Sequence, residues 1–156
     1  MKANIDRAIN NYSDMVYRIA LTRTGTKENA EDIFQEVFLK YGEKNPDFED
    51  NTHEKAWLIR VTINLTNNFH NSSWNQKVVA LDENIKTEMP EEYGVFEIVC
   101  ELPDNYRTVI HLMYYEGYKI KEIAEMMNEN ENTIKTWASR AREMLKEKLE
   151  GGFEDE

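Results

Sequence analysis

Residues 119–149, KIKEIAEMMNENENTIKTWASRAREMLKEKL, contain two amphipathic stretches separated by a short polar segment. In the first stretch the apolar residues recur at i, i+3, i+4 and i+7, the spacing of one buried helical face. These residues are Ile120, Ile123, Ala124 and Met127. After the polar segment, Asn132 or Thr133 can cap a second helix through a side-chain oxygen. The apolar stripe of that helix consists of Ile134, Ala138, Ala141, Leu145 and Leu149. The pattern predicts a helix-turn-helix.

The predicted second helix carries a local excess of positive charge. Between Asn132 and Leu149 there are five Lys or Arg residues and two Glu residues, whereas the whole chain has a net charge of −11. Because attraction to phosphate depends on the local potential, this excess favours binding to nucleic acid. An ordinary helical hairpin with a solvated basic face explains the same spacing, and periodicity alone leaves both interpretations open.

Several classes of protein are disfavoured by the composition. No stretch approaches the roughly 18 consecutive apolar residues of a membrane-spanning helix, and the amino terminus lacks a signal-peptide pattern. We therefore expect a soluble intracellular protein. Cys100 is the only cysteine, the three histidines lie far apart, and no glycine motif for phosphate binding occurs. We expect no disulfide, no metal, no cofactor and no catalytic residue.

The acidic residues concentrate between two helical halves. Residues 82–101 carry one basic and seven acidic side chains, whereas residues 1–81 are nearly balanced, with 10 and 11. We predict an all-α protein with two small helical domains joined by an acidic linker. The expected segments are a first domain at 1–81, the linker at 82–94, the helix-turn-helix domain at 95–150 and an acidic tail at 151–156.

The first domain contains three predicted amphipathic helices. One covers residues 5–24, with Gly25 in the left-handed C-cap position, and Thr26 can cap the second. Asn51 followed by Glu54 resembles a capping box that opens the third. The apolar residues of the first two helices are Ile5, Ile9, Tyr12, Met15, Val16, Ile19 and Ala20, then Ala30, Ile33, Phe34, Val37, Phe38 and Tyr41.

Two separated blocks of this sequence resemble the bacterial extracytoplasmic-function (ECF) sigma factors. AEDIFQEVF at 30–38 and WLIRVTINLTNN at 57–68 are similar to the second conserved region of that family. LPDNYRTVIHLMYYEGYKIKEIAEMMNENENTIKTWASRAREML at 102–145 is similar to its fourth region. A single helix-turn-helix would be a weak signal, but two blocks in this order, with an acidic segment between them, are a strong one.

The resemblance implies a transcription initiation factor without enzymatic activity or a small-molecule substrate. Its partners would be promoter DNA and core RNA polymerase, including the beta-prime clamp helices and the beta flap. An anti-sigma factor would be a further partner, and the protein would be cytoplasmic, where that factor could hold it at the membrane. By position, the polymerase-binding residues would be Glu31, Asp32, Gln35, Glu36 and Phe38, although a solvated acidic face explains the same charges.

The third helix and its following loop match the part of the family that captures a flipped base of the minus-ten element. The residues in these positions are Asn64, Asn68, Asn71, Trp74 and Lys77. Amide groups can donate to and accept from base edges, and an aromatic ring can stack on an unpaired base. Trp74 could equally be a core anchor for the loop.

The second block would read the minus-thirty-five element in the major groove. The resemblance assigns this role to Lys135, Thr136, Ser139 and Arg140, with Arg142 toward phosphate. Arg107 and Lys119 could add contacts to the DNA backbone. Trp137 stands where relatives usually have a basic residue, and packing next to Ala138 is the favoured explanation over a contact to a sugar.

A different class of function also fits the sequence. A sigma mimic would bind an anti-sigma factor without productive DNA recognition. The acidic net charge, Asn68 and Trp137 favour this alternative slightly, because relatives often carry other residues at those two positions. The retained Lys135, Arg140 and Arg142 argue against it.

Overall fold

The structure is a computed structural model that describes residues 2–70 and 101–154. Within these ranges the regular secondary structure is helical, apart from one isolated antiparallel bridge between Lys2 and Asp47. The helices are α1 (Ile5–Thr24), α2 (Lys27–Lys44), α3 (Asn51–His70), α4 (Asp104–Ile110), α5 (Ile120–Met127) and α6 (Glu131–Glu154). A π-helical turn, His111–Tyr115, continues α4. None of the described helices has the length and apolarity needed to cross a bilayer.

The caps of the first two helices follow from the sequence. Gly25 ends α1 with φ 82°, and its N–H donates to the Leu21 carbonyl at 2.9 Å. A positive φ carries little cost for glycine, which confirms the predicted C-cap. Thr26 then accepts a hydrogen bond from the Asn29 N–H, at 3.3 Å, as the predicted N-cap of α2.

The predicted capping box of α3 is wrong. Asp50 caps this helix, because its carboxylate accepts from the His53 N–H at 2.9 Å and its carbonyl accepts from the Glu54 N–H at 3.1 Å. Glu54 instead lies fully buried and accepts hydrogen bonds from Arg7, at 2.8 Å, and from the Tyr41 hydroxyl, at 2.6 Å. The carboxylate therefore joins α1, α2 and α3.

The predicted helix-turn-helix is present as α5 and α6. Asn128 ends α5 in the left-handed conformation, with φ 55° and ψ 47°, a geometry that asparagine tolerates. The cap of α6 differs from the prediction, because Asn130 accepts from the Thr133 N–H at 2.7 Å. Asn132 and Thr133 therefore lie inside the first turn of α6 rather than at its cap.

Two predicted apolar stripes are only partly buried. Ile134, Ala138 and Ala141 of α6 are fully buried, whereas Leu149 is exposed near the end of the helix. On α1, Ile5 is also exposed, as is Ile9, although both have the spacing of core residues. The predicted apolar face of α2 is confirmed. Five of its six residues, Phe38 among them, are buried in the core, and the sixth, Phe34, packs against that core.

The two domains pack directly on each other. The last turn of α1 contacts α4, and α3 contacts α5, so that one apolar core continues from the first domain into the helix-turn-helix. A smaller cluster, containing Leu102, Ile110 and Ala141, lies between α4 and α6. Because of the α4 contact, Leu21 to Thr24 are buried on every side of α1, although three of these four residues are polar or charged.

Candidate nucleic-acid interface

Helix α6 presents an exposed polar stripe opposite its buried face. The predicted reading residues Lys135, Thr136, Ser139 and Arg140 are all exposed. With 3.6 residues per turn, Thr136, Ser139 and Arg140 lie opposite the buried Ile134 and Ala138, and Lys135 lies on the flank. Asn132 precedes Thr136 by one turn on the same stripe and is also exposed. Asn132 was not predicted to belong to this stripe, because its side chain could equally cap the helix.

The cations at the two ends of α6 are in different electrostatic environments. Lys148 donates to Glu101 at 2.7 Å, and Lys146 is within 4.0 Å of Glu150. Within residues 2–70 and 101–154, no carboxylate forms an ion pair with Lys135 or Arg140. The start of α6 therefore carries the positive charge that is available to an external anion.

Arg142 lies on the flank of the exposed polar stripe of α6. Its guanidinium donates to the Tyr114 hydroxyl at 3.3 Å and approaches the Met113 sulfur at 3.8 Å. Both partners belong to the π-helical turn, and Tyr114 is 61% exposed. A backbone phosphate beside α6 would meet Arg142 and the Tyr114 hydroxyl together.

The amide-rich end of α3 faces the second domain. Asn64 is exposed and lines a cavity of about 410 Å³ with Arg60, opposite Glu125, Met126 and Asn128. Asn67 is half-buried, and its side-chain oxygen accepts from Arg23. Asn68 is exposed on the same part of the helix. Three other residues predicted to contact the minus-ten element, Asn71, Trp74 and Lys77, lie outside the described residues.

Arg107 and Lys119 were expected to contact the DNA backbone, but the position of Arg107 does not suit that role. Arg107 is buried, and its guanidinium donates to the carbonyls of Thr22 and Leu102, both at 3.0 Å. It joins the domains and cannot reach DNA in this structure. The Lys119 side chain is exposed, and its backbone N–H donates to the Glu122 carboxylate at 3.0 Å. Trp137 packs half-buried against the core, as the favoured interpretation predicted.

Helix α2 presents the candidate surface for polymerase. Glu31, Asp32, Gln35 and Glu36 are exposed, whereas Phe38 is only 5% exposed and packs in the core. Phe38 can therefore support this surface but offers little area to a partner. Leu39 is 62% exposed and lies between Asp32, Gln35 and Glu36 on the outward face. Sequence reasoning missed Leu39 because it falls outside the apolar stripe.

Two family models match the chain. The model described as Sigma-70 region 2 matches residues 8–76, and the model described as Sigma-70, region 4 matches residues 95–145. The first match contains α2 and α3, and the second contains the helix-turn-helix. Together the two regions take up more than half of the 156 residues.

Individual relatives agree with the family models. The ECF RNA polymerase sigma factor SigM of Bacillus subtilis is 29% identical over 162 residues, covering 97% of this chain and 99% of SigM. SigW of the same organism is 28% identical over 158 residues, covering 88% of this chain and 84% of SigW. A solved structure of the sigma factor RpoE with the anti-sigma factor NepR, from Bartonella quintana, gives a TM-score of 0.72 at 22% identity. It covers 93% of this chain and 96% of RpoE, which supports the fold. The chain thus belongs to the sigma-70 family, as an extracytoplasmic-function sigma factor.

Proposed function

We propose that this sigma factor uses three helices for three contacts during initiation. Helix α6 reads the minus-thirty-five element, the amide end of α3 captures an unstacked base of the minus-ten element, and α2 docks on core RNA polymerase. Catalysis belongs to the polymerase, and the protein acts in the cytoplasm.

The observation that carries the DNA-binding part is the exposed stripe of α6. It begins in the first turn of the second helix of a helix-turn-helix, the part of such a motif that reaches base edges. Thr136, Ser139 and Arg140 lie opposite the buried face, so they can enter a major groove without disturbing the core. Lys135 and Arg142 flank the stripe, where phosphates lie. Base contacts then specify the sequence, and flanking contacts set the register.

Asn132 extends this stripe to the very start of α6. Its side chain is exposed, and Asn130 already fills the capping position. An asparagine amide can form two hydrogen bonds with the N6 and N7 atoms of adenine in the major groove. Asn132 therefore reads one base pair at the edge of the minus-thirty-five element.

The polymerase contact is supported by the outward face of α2. Acidic side chains surround the exposed Leu39, so the surface combines an apolar centre with a charged rim, a common arrangement in protein interfaces. Its negative charge suits a basic partner surface. The buried face, which includes Val37 and Phe38, holds the helix rigid.

An anti-sigma factor is a second protein partner in this proposal. RpoE, which is similar to this chain in fold, was solved in complex with the anti-sigma factor NepR. For this chain we infer that such a factor competes with polymerase for the acidic face of α2 and could hold the protein at the membrane. If the anti-sigma factor and polymerase no longer compete for a folded Leu39→Lys variant, this result would support a shared binding surface on α2.

Transcription in vitro tests the proposal directly. Core RNA polymerase and this protein are added to fragmented DNA from the source organism, and transcript starts are sequenced. We expect discrete starts with two spaced upstream motifs. Lys135→Ala, Arg140→Ala and Asn64→Ala should reduce these starts, whereas Lys146→Ala, the matched control at the far end of α6, should not. Binding to polymerase without any initiation would instead favour the sigma mimic.

The role of Asn132 has its own readout. A promoter library randomised across the minus-thirty-five element is transcribed with the wild type and with Asn132→Ala. We expect the variant to lose its preference at one base pair and to keep the others. A uniform decrease at every position would contradict base reading by this amide.

A further inference from the structure

Tyr114 is an exposed aromatic residue beside the DNA-binding helix. Its side chain is 61% exposed, whereas every other aromatic side chain that the structure describes is buried or half-buried. The apolar packing of the domain does not use this ring. Because a tyrosine combines a large apolar ring with a polar hydroxyl, it is common at binding surfaces. The position of Tyr114 therefore calls for a binding partner outside the chain.

Tyr114 belongs to a π-helical turn that is fixed on its inner side. The Glu116 N–H donates to the His111 carbonyl, five residues back, at 3.1 Å. His111 is buried, and its ring stacks on that of Tyr115 with the ring centres 5.0 Å apart. Arg18 of α1 also donates to the Tyr115 hydroxyl. The neighbours of Tyr114 thus hold the turn in place, and short π-helical segments occur often at functional sites.

The Tyr114 hydroxyl accepts a hydrogen bond but has a proton left to donate. Its oxygen accepts from the Arg142 guanidinium at 3.3 Å. A phenolic hydroxyl can accept and donate at the same time. Within residues 2–70 and 101–154, no protein group accepts the Tyr114 proton. Because the neighbouring cation polarises the O–H bond, this proton is a stronger donor to an outside group.

Arg142 also keeps most of its donors available. A guanidinium carries five N–H groups, and the described contacts of Arg142 involve only Nη1, which meets the Tyr114 hydroxyl and the Met113 sulfur. No carboxylate in the described part of the chain forms an ion pair with this exposed cation. An anion beside both groups would accept a charge-assisted hydrogen bond from Arg142 and a second one from Tyr114.

The flank of α6 that carries Arg142 also carries Lys135. The two cations are seven residues apart, which is two turns, so they lie on the same flank about 10 Å apart along the helix axis. Each strand of a DNA duplex carries one phosphate per about 3.4 Å of its axis. Lys135 and Arg142 can therefore contact different phosphates of one strand. Tyr114 lies beside the Arg142 end of this row.

We propose that Tyr114 and Arg142 form one phosphate site, in which the hydroxyl and the guanidinium donate to the same phosphodiester of the DNA strand beside α6. The inference rests on the proposed binding of DNA by α6. Tyr114 holds the guanidinium in position before DNA binds, which lowers the entropy cost of ordering it. Because the two donors belong to different elements, together they fix the angle at which α6 enters the major groove.

Fluorescence anisotropy of the full-length protein with two short duplexes tests this site. One duplex contains an upstream motif recovered from the sequenced transcript starts, and the other has an unrelated sequence. Tyr114→Phe keeps the ring and removes the hydroxyl, so it should weaken binding to both duplexes equally, by about three- to tenfold. Tyr106→Phe is the matched control, because it removes a hydroxyl from the same helix at a half-buried position.

The dependence of binding on salt separates the two members of the site. The Tyr114 hydroxyl is neutral, so Tyr114→Phe should leave this dependence as in the wild type. Arg142→Ala removes a cation and should make the binding constant fall less steeply as salt rises. In the Arg142→Ala background, Tyr114→Phe should cost less than in the wild type, because groups that bind one phosphate are coupled.

Neutral methylphosphonates locate the phosphate itself. One phosphate of the duplex at a time is replaced, and the affinities of the wild type and of Tyr114→Phe are compared. We expect one position at which the replacement weakens the wild type and at which Tyr114→Phe causes no further loss. If the loss in Tyr114→Phe is the same at every position, the substitution acts through the fold, and the phosphate site is wrong.

The remaining outcomes are equally specific. Wild-type affinity of Tyr114→Phe for both duplexes would overturn the site. Potassium phosphate should compete with DNA no better than potassium chloride at equal ionic strength. Stronger competition that disappears in Tyr114→Phe would assign the site to free phosphate instead of DNA. If no transcript starts are found, the proposed function fails, but the unrelated duplex still tests the contact, because a backbone phosphate carries no sequence information.

Discussion

At the level of single residues, Lys135 and Arg140 differ from Lys146 and Lys148 of the same helix because intramolecular carboxylates do not neutralise them within the described part of the chain. Lys135→Ala or Arg140→Ala should weaken binding to minus-thirty-five duplex DNA by about 1–3 kcal/mol where a base contact is lost. Loss of a phosphate contact should instead reduce, by about one, the steepness with which the logarithm of the binding constant falls with the logarithm of the salt concentration. Fluorescence anisotropy across a salt series measures both quantities. An equal loss for Lys146→Ala would show only a general effect of charge.

His111 should make stability depend on pH. Burial, followed by the charge of Arg18, lowers the pKa of His111 from 6.5 to about 3. The folded protein therefore keeps the ring neutral while the unfolded chain binds a proton, so stability is full above pH 6.5 and is lost as pH falls toward 3. The free energy of unfolding should fall by up to about 1.4 kcal/mol per pH unit in this window.

Urea unfolding from pH 7.5 to pH 4.5 checks this dependence. His111→Gln should be less stable at neutral pH, because it replaces a ring that stacks on Tyr115, but its stability should depend less on pH. His53→Asn, which removes an exposed imidazole, should keep the wild-type slope. If the free energy of unfolding falls with pH equally steeply in the wild type and in His111→Gln, the acid sensitivity comes from other groups.

One residue that sequence reasoning placed wrongly has a distant partner. Arg107 was expected to contact the DNA backbone, but it is buried because its guanidinium donates to the carbonyl of Thr22, near the end of α1. Periodicity describes one helix at a time, and it assigns an arginine to the solvent by default. The exposed stripe of α6 was predictable, since its position follows from the apolar face of the same helix.

At the level of elements, α2 should bind polymerase through its outward face. Leu39→Lys should weaken binding to core polymerase about tenfold or more, because it places a charge at the centre of the interface. Asp32→Lys should also weaken binding, through repulsion from a basic partner. Asp14→Lys makes the same charge change on an exposed part of α1 and is the control. Surface plasmon resonance measures these affinities, and a matching loss for Asp14→Lys would exclude a specific face.

Local chemistry predicted the bounds of α1 and two of the caps. Gly25 and Thr26 confirm their predicted roles, because each acts on backbone groups within four residues. The errors at α3 and α6 have a common cause. Asp50 and Asn130 can cap a helix as well as the predicted residues, Asn51 for α3 and Asn132 or Thr133 for α6. Which residue becomes the cap depends on the tertiary position of Glu54 in α3 and on where the first turn of α6 begins.

At the level of the whole molecule, the two domains were predictable but their packing was not. Each half has its own amphipathic helices, and the acidic segment 82–94 suggested a boundary between them. The continuous core depends on contacts of α1 with α4 and of α3 with α5, helices that are far apart in the sequence. No short-range pattern encodes such contacts, so the packing of α3 against α5 emerges only in three dimensions.

The two-domain architecture predicts a strong dependence on promoter spacing. Two weak DNA contacts on one chain act together, because binding of one raises the effective concentration of the other. Inserting about five base pairs between the elements rotates them by half a turn of the duplex, so both domains cannot bind at once. Run-off transcription should fall to the level of a template that lacks the minus-thirty-five element. Retention of activity after this insertion would show that α3 and α6 do not bind DNA simultaneously.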